Sequence, residues 1–377
     1  MLDKRFILEN AESVQQNCDA RGMKADVARF VKLETECRTL QQEIEELSRQ
    51  ANVVSKSIGQ AKDDAEREAR KEEGRQLRES KEAKQADFDR IDAEAGAIYR
   101  SLPNMTHAES PRGGEDASRE LRKGATQVTP MRFPVQDHVQ LAEQHDLIDF
   151  EGAARIAGHG FYFLRNEAAL LEMALQQYVV ELLVKEGFTP TITPDLARGE
   201  ILAGVGYIPR GPETQIYTVE NFDLNLVATS EITLGGLYAG ITIDADDLPI
   251  KLCGISHCFR TEAGAAGRAS RGLYRVHQFT KVEMFAFTLP EQSEDMHNYF
   301  CELECEIFDG LGIPYRVLDI ASGDLGDHAR RALCRHDDRR RRPADQALRH
   351  QPLLPHGSGR RGPGVARVVP RPPVHEG

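Results

Sequence analysis

The sequence predicts an α+β protein in which an antiparallel helical coiled-coil arm precedes a body built on antiparallel sheet. Two apolar seams that lie before the first proline, Pro103, predict the arm. Two β-rich, aromatic-bearing segments between Cys253 and Phe287 predict the sheet, because they flank a Gly- and Ala-rich stretch suited to a hairpin tip. Neither helical nor strand periodicity continues past Gly326.

The chain has 377 residues, enough for more than one domain and a full core. Met1 to Met23 is polar and no apolar run approaches membrane length, so the expectation is a cytoplasmic protein with no membrane partner. The seven cysteines (Cys18, Cys37, Cys253, Cys258, Cys301, Cys305 and Cys334) lack the spacings of a zinc site or a disulfide frame, and no zinc or other metal ligand set is expected. The net charge of −12 conceals a split. Residues 327–377 carry 12 Arg, no Lys and 5 acids, or +7, which leaves 36 basic against 55 acidic residues, or −19, for the rest. A body of that charge would hold a polyanion only through local basic patches.

Taken in order, Lys4 to Cys18 reads as a short amphipathic helix ending near Arg21-Gly22. Phe30, Leu33, Cys37, Leu40, Ile44, Leu47, Ala51, Val54 and Ile58 then recur at alternating spacings of three and four, an a/d seam. Leu77, Lys81, Lys84, Phe88, Ile91, Ala95, Ile98 and Leu102 make a second seam, and the polar stretch Gly59 to Ala69 reads as the join of a hairpin. Each arm would reach roughly 45 Å at 1.5 Å per residue. Arg49, Lys56, Lys62, Arg67, Arg70, Lys71, Arg75 and Arg78 are candidate phosphate contacts. The interleaved acids suit a solvated coiled-coil face equally well.

Thr106 to Pro134, rich in Gly, Ser, Pro and charge, reads as a linker, so the division is an arm over 1–105, a linker over 106–134 and a body over 135–326. In the body, Gly158 to Leu164 reads as a strand, Asn166 to Glu186 as a long amphipathic helix, and Gly187 to Pro194 as a turn and a proline-ended strand. Thr229-Ser230-Glu231 sits at a strand-to-helix junction, where Thr229 could simply cap the helix beginning near Ile232. In the hairpin, Arg260 and Glu262 alternate on the first strand. Arg275, His277, Lys281 and Glu283 follow on the second, so period 2 sends several ionisable groups to one face. Helix Glu291 to Leu311 and strand Tyr315 to Asp319 complete the body.

Phe259-Arg260-Thr261-Glu262, the loop, then Arg275-Val276-His277-Gln278-Phe279 and Lys281-Val282-Glu283 resemble motif 2 of the class II aminoacyl-tRNA synthetases, in the wording of the bacterial-type seryl-tRNA synthetases. The two-helix arm ending in Leu102-Pro103-Asn104 has that family's place in the chain. The resemblance covers residues 1–326 and implies a class II catalytic domain that joins L-serine to tRNA(Ser), and to tRNA(Sec) where a host has one, at the expense of ATP with Mg²⁺. It implies that the arm grips tRNA by shape and backbone, as RNA helices are usually read. It puts Arg260 between the α-phosphate and the serine carboxylate, a role suited to a planar fork that binds two oxyanions. It puts Thr261, Glu262 and Val276 around ATP and Phe279 under adenine. Thr229, Ser230, Glu231 and Glu283 would hold serine, and Arg268 and Arg271 on the loop Gly264 to Gly272 would approach the acceptor end. The helix-strand pair ending at Pro194 resembles motif 1 and implies a homodimer.

After Gly326 the family would continue for roughly a hundred residues, including the motif 3 arginine for the γ-phosphate. Residues 327–377 have instead no Phe, Tyr, Ile, Thr or Asn, seven Pro and four consecutive Arg at Arg339 to Arg342, a composition that predicts disorder. One reading is a basic RNA-binding tail. The other, preferred because periodicity and family pattern end together, is a GC-rich gene read out of frame. On either, the catalytic domain is C-terminally incomplete, this chain is expected to activate serine poorly, and the alternative function is a non-catalytic tRNA-binding relative.

Overall fold

Asp3, Asp26 and Asp63 each start a helix. Their carboxylates accept from backbone N–H groups two or three residues on, which the first turn leaves unsatisfied. The computed structural model describes residues 2–127, 131–207, 216–262 and 272–325, with the backbone of 333–337. It divides into two units, Met1–Gly113 and Gly114–Gly377.

The first unit contains α1 (Lys4–Glu9), α2 (Ala11–Ala20), α3 (Val27–Ile58) and α4 (Asp64–Ser101). The sequence reads α1 and α2 as one helix, but Asn10 breaks them. Its side chain donates to the Phe6 carbonyl at 3.0 Å and competes with helix continuation. The join of the long hairpin is also shorter than the polar run suggests. Residues 59–63 turn, and the charged stretch from Asp64 is helical, supported by pairs such as Arg70–Glu66 and Lys71–Glu68 on its own face.

Both seams face inward. Phe30, Leu33 and Cys37 of α3 pack on Ile91, Ala95 and Leu102, with Ile7, Val14 and Cys18 of α1 and α2 closing the base. Lys84, a polar residue on the second seam, is answered by Glu43 at 2.6 Å across the hairpin. Of the candidate phosphate contacts, Arg49, Arg67, Arg70, Lys71 and Arg75 pair with acids on their own helix.

The second unit opens with β1 (Arg119–Lys123), which lies inside the expected linker. RELRK has no apolar alternation to announce a strand. It is held by its ladder and by ion pairs Arg119–Asp319 and Arg122–Glu302. Next come α5 (His138–His145), β2 (Ile148–Asp149), α6 (Phe150–Ala157) and β3 (Phe163–Leu164), so only the end of the expected Gly158–Leu164 strand is extended. They are followed by α7 (Asn166–Lys185), β4 (Thr189–Ile192), β5 (Leu196–Ala197), α8 (Gly199–Gly204), β6 (Asn225–Leu226), α9 (Ser230–Leu237), β7 (Ile250–Phe259), β8 (Gln278–Phe287), α10 (Ser293–Gly310), β9 (Tyr315–Asp319) and β10 (Leu333–Asp337).

The central sheet is mixed, with order β4-β7-β8: β7 and β8 form the expected antiparallel hairpin, but β4 runs parallel to β7. The long excursion from Ile192 to Ile250 makes that crossover feasible, since parallel neighbours need a dozen or more connecting residues. Odd-numbered residues of β7 face one apolar layer. There Cys253, Met284 and Ala286 pack with Leu183 of α7 and with Phe300 and Leu303 of α10. On the opposite face Leu252, Phe285 and Phe287 receive Leu234 of α9.

A second, antiparallel sheet has order β1-β9-β10. Its last strand corrects the expectation that regular structure stops at Gly326, because Leu333 to Asp337 pair with Asp319 to Tyr315. Backbone pairing to the edge of β9 builds it, and LCRHD carries no period-2 apolar signal. The remaining tail, and the loop with Arg268 and Arg271, lie outside the described residues.

Phe30 is fully buried and stacks on Tyr99 at 5.7 Å. Phe30→Ala should therefore cost the first unit about 3–5 kcal/mol, read as a lower transition of that unit in chemical denaturation. A loss under about 0.5 kcal/mol would contradict the packing described.

Candidate active site

The β7–β8 register pairs Cys258 with Phe279, Ser256 with Lys281 and Gly254 with Glu283. Paired residues share a face, so Phe279, Lys281 and Glu283 form one row on the side that α9 covers. Phe259 donates its backbone N–H to the Val227 carbonyl at 2.8 Å, which sets the Thr229-Ser230-Glu231 segment beside this row. Gly254 lets it come close. A Cβ there would lie 2.5 Å from Ser230 Oγ and 2.8 Å from Leu234 Cδ1.

The result is a polar cluster around one carboxylate. Glu283 Oε2 accepts from the Thr229 hydroxyl, from Ser230 Oγ at 3.0 Å and from the Glu231 backbone N–H at 3.1 Å. Lys281 Nζ donates to Glu283 Oε1 at 2.7 Å and to Thr229 Oγ1 at 2.6 Å. Burial works against the charged carboxyl, but Lys281 beside it and the hydroxyl donors outweigh burial and hold it below the ordinary range. Glu283 therefore stays ionised at neutral pH and acts as an acceptor only.

Arg260 follows the end of β7 and extends the ladder by one step, its N–H donating to the His277 carbonyl at 3.0 Å. Its guanidinium lies over the Phe279 ring, 5.2 Å from the centroid, a cation–π contact. Phe279 is 4% exposed and packs with Cys258 and Val276. Thr261 and Glu262 lie past the strand, half-buried, and Glu262, at φ 49°, pairs with Arg275 at 3.0 Å. His277 braces this end. Its N–H donates to the Gly160 carbonyl at 2.8 Å, its Nδ1 lies 2.7 Å from the Tyr217 hydroxyl, and its ring stacks on Phe161. Gly160, at φ 89°, permits the approach, since a Cβ would lie 2.0 Å from the His277 ring.

The structure thus brings Thr229, Ser230, Glu231 and Glu283 into one cluster and sets Arg260 over Phe279, with Glu262 and Val276 following on the same loop ends. Lys281 is the residue that sequence reasoning left without a role. Its signal was present, because 279, 281 and 283 share parity. Tyr217, Phe161, Gly160 and Gly254 had no local signal, since each acts only through a distant partner.

This sheet, helix and polar row are the framework of a class II aminoacyl-tRNA synthetase core, and residues 217–334 match the model of the tRNA synthetase class II core domain (G, H, P, S and T). Residues 1–106 match the seryl-tRNA synthetase N-terminal domain, and the chain belongs to the seryl-tRNA synthetase family. It is 57% identical over 331 residues to the serine–tRNA ligase of Rhodopirellula baltica, a match covering 88% of this chain and 78% of that protein. The enzyme of Rubrobacter xylanophilus is 47% identical over the same shares. Among solved structures, the seryl-tRNA synthetase of Pyrococcus horikoshii complexed with ATP superposes with TM-score 0.77 at 32% identity, covering 89% of this chain and 80% of that one.

Replacing Lys281 by Met should leave Glu283 without its cation and cost about 3–5 kcal/mol in chemical denaturation, with Lys281→Arg recovering part. The sign in pH follows from the lowered carboxyl. Its contribution is complete above its ordinary value of 4.5 and is lost as pH falls through the lower folded value, so acid unfolding of the Met variant should begin at higher pH. An unchanged acid transition would contradict the assigned pair.

Proposed function

We propose that the chain activates L-serine with ATP to seryl-adenylate and transfers serine to tRNA(Ser), and to tRNA(Sec) in a host that has one. The observation that carries this reading is the row Phe279, Lys281, Glu283 beneath Thr229 and Ser230, with Arg260 at its end. An ionised, acceptor-only carboxylate suits the hydroxyl and ammonium protons of serine. Serine would add its donors to a carboxylate already held by Thr229, Ser230 and Lys281, and a ligand without the hydroxyl would forgo one of those contacts.

The serine carboxylate would attack the α-phosphorus of ATP, forming the acyl phosphate bond as pyrophosphate leaves. A ribose hydroxyl of tRNA would then take the acyl group and release AMP. No side chain has to carry a proton in the first step, so positioning and charge do the catalysis. Arg260 would bridge the reacting carboxylate and the α-phosphate, and Phe279 would support both the guanidinium and the adenine. Thr261, Glu262 and the backbone at Val276 would line the ATP site. ATP arrives with Mg²⁺, which takes oxygen ligands, and the Glu262 carboxylate, paired with Arg275, is a donor of that kind.

The arm is proposed to hold tRNA through phosphates. The side-chain nitrogens of Lys56, Lys62 and Arg78 have no carboxylate within 4 Å among the described residues, and these three are the first candidates, with Arg268 and Arg271 at the acceptor end. A homodimer in the cytoplasm is the proposed working form. Its support is the apolar side of α7 and β4, where Leu170 is 67%, Met173 66% and Ile192 84% exposed. A second reading is a tRNA-binding relative without catalysis, which rests on the separate match of residues 1–106 to the seryl-tRNA synthetase N-terminal domain.

Serine-dependent pyrophosphate exchange separates the two readings: exchange by this chain supports the ligase, and tRNA binding without exchange supports the binder. Where exchange is present, Arg260→Ala should abolish it and spare tRNA affinity, and deletion of residues 31–98 should do the reverse. If both leave charging unchanged, the site assignment fails. Leu170→Glu with Met173→Glu should yield monomers in sedimentation, and an unchanged mass would place the dimer contact elsewhere.

A further inference from the structure

Away from this site, β1, α10 and β9 enclose a second group of reactive side chains. Arg122 of β1 donates from Nη2 to Cys305 Sγ at 2.9 Å and to Glu302 at 2.7 Å, so the guanidinium is fixed against the sulfur by an acid of the same helix. Cys301 lies one turn earlier on α10. Tyr315 of β9 donates toward the Cys305 carbonyl at 3.4 Å and to Asp309 at 3.1 Å. A cleft of about 410 Å³ opens over the cluster, and Cys305 contributes to its lining, with Lys123 and Glu306 at its sides.

Four other cysteines, Cys18, Cys37, Cys253 and Cys258, are pushed up by burial, as inert core thiols are. Cys305 goes the other way. The hydrogen bond from Cys301 outweighs burial and, with Tyr315 and Arg122, brings its thiol down to about 6. Reactive cysteines lie beside a cation and within reach of a reagent; Cys305, though only 5% exposed, has the Arg122 guanidinium against its sulfur and lines the cleft.

We propose that Cys305 is a site of reversible oxidation by hydrogen peroxide, an arginine-held thiolate at the lining of this cleft. The sulfur attacks one peroxide oxygen, so that an S–O bond forms as the O–O bond breaks. Sulfur is oxidised to the sulfenic acid, peroxide is reduced, and the departing hydroxide takes a proton to become water. The Arg122 guanidinium faces the charge that develops on the departing oxygen. Cys301 does not close a disulfide, because helical residues four apart hold their Cβ atoms about 5–6 Å apart, beyond the roughly 3.5–4.5 Å that the bond requires. A small external thiol restores the site: one condenses with the sulfenic acid to a mixed disulfide and water, and a second displaces Cys305 as the thiol.

The full chain, treated with dilute hydrogen peroxide and a 1,3-dione trap for sulfenic acids, is mapped by mass spectrometry. Cys305 should label ahead of Cys18, Cys37, Cys253 and Cys258, and Cys305→Ser should remove the label. At pH 6.5, where a thiol titrating at about 6 is mostly thiolate, Arg122→Ala should slow alkylation of Cys305 by iodoacetamide about threefold if its pKa rises by one unit and about 25-fold if it rises by two. The deficit should shrink toward pH 9, and Arg122→Lys, which keeps the charge, should recover part of the rate. Labelling of Cys305 only on unfolding, a rate equal to that of the four buried thiols, or a Cys301–Cys305 disulfide in place of the trapped adduct would each overturn the proposal.

Discussion

The catalytic unit depends on keeping one carboxylate charged in the interior. Glu283 sits where α9 meets the central sheet, and burying an ion there is tolerable only if its charge and both oxygens are answered. Lys281 supplies the charge, Thr229 and Ser230 supply hydroxyls, and the Glu231 N–H in the first turn of α9 supplies the helix end. Gly254 makes the arrangement possible, because any side chain there would push the helix start off the strand. The same contacts lock the β7–β8 register. A slip of one residue would carry Lys281 and Glu283 to the face where Cys253 and Met284 meet Phe300 and Leu303.

The two faces of that hairpin thus divide the work. One is an apolar floor on which α7 and α10 rest, and the other is a polar row under α9. Neighbouring residues of a single strand serve both, since Val282 and Glu283 are adjacent in sequence and opposite in space. The arm follows simpler rules. Its base is a continuous apolar core, while its outer half is held by ion pairs and a short turn, which leaves basic groups near the tip in water.

Much of the fold was legible because it is written in periodicity. The a/d seams located α3 and α4, the amphipathic run Asn166 to Glu186 located α7, and Tyr315 to Asp319 was read to the residue. Two of the strands missed are built chiefly by backbone pairing. β1, hidden in a charged stretch, and β10, beyond the last apolar pattern, exist because β9 offers two edges. The parallel placement of β4 was equally invisible, because strand direction is a property of the crossover and not of the strand's own residues.

By itself the sequence determined the composition of the site: the arginine after β7, the Thr-Ser-Glu turn and the glutamate on β8 could be named from local pattern and family resemblance. Only the tertiary structure decided what those groups do to one another. Lys281 became the partner of Glu283 through strand parity and burial together, and His277 became the brace of Arg260 through Gly160, Phe161 and Tyr217. The reason is physical. Side-chain chemistry is local and can be read in order, but desolvation, hydrogen-bond geometry and close approach arise only when distant segments are packed against each other.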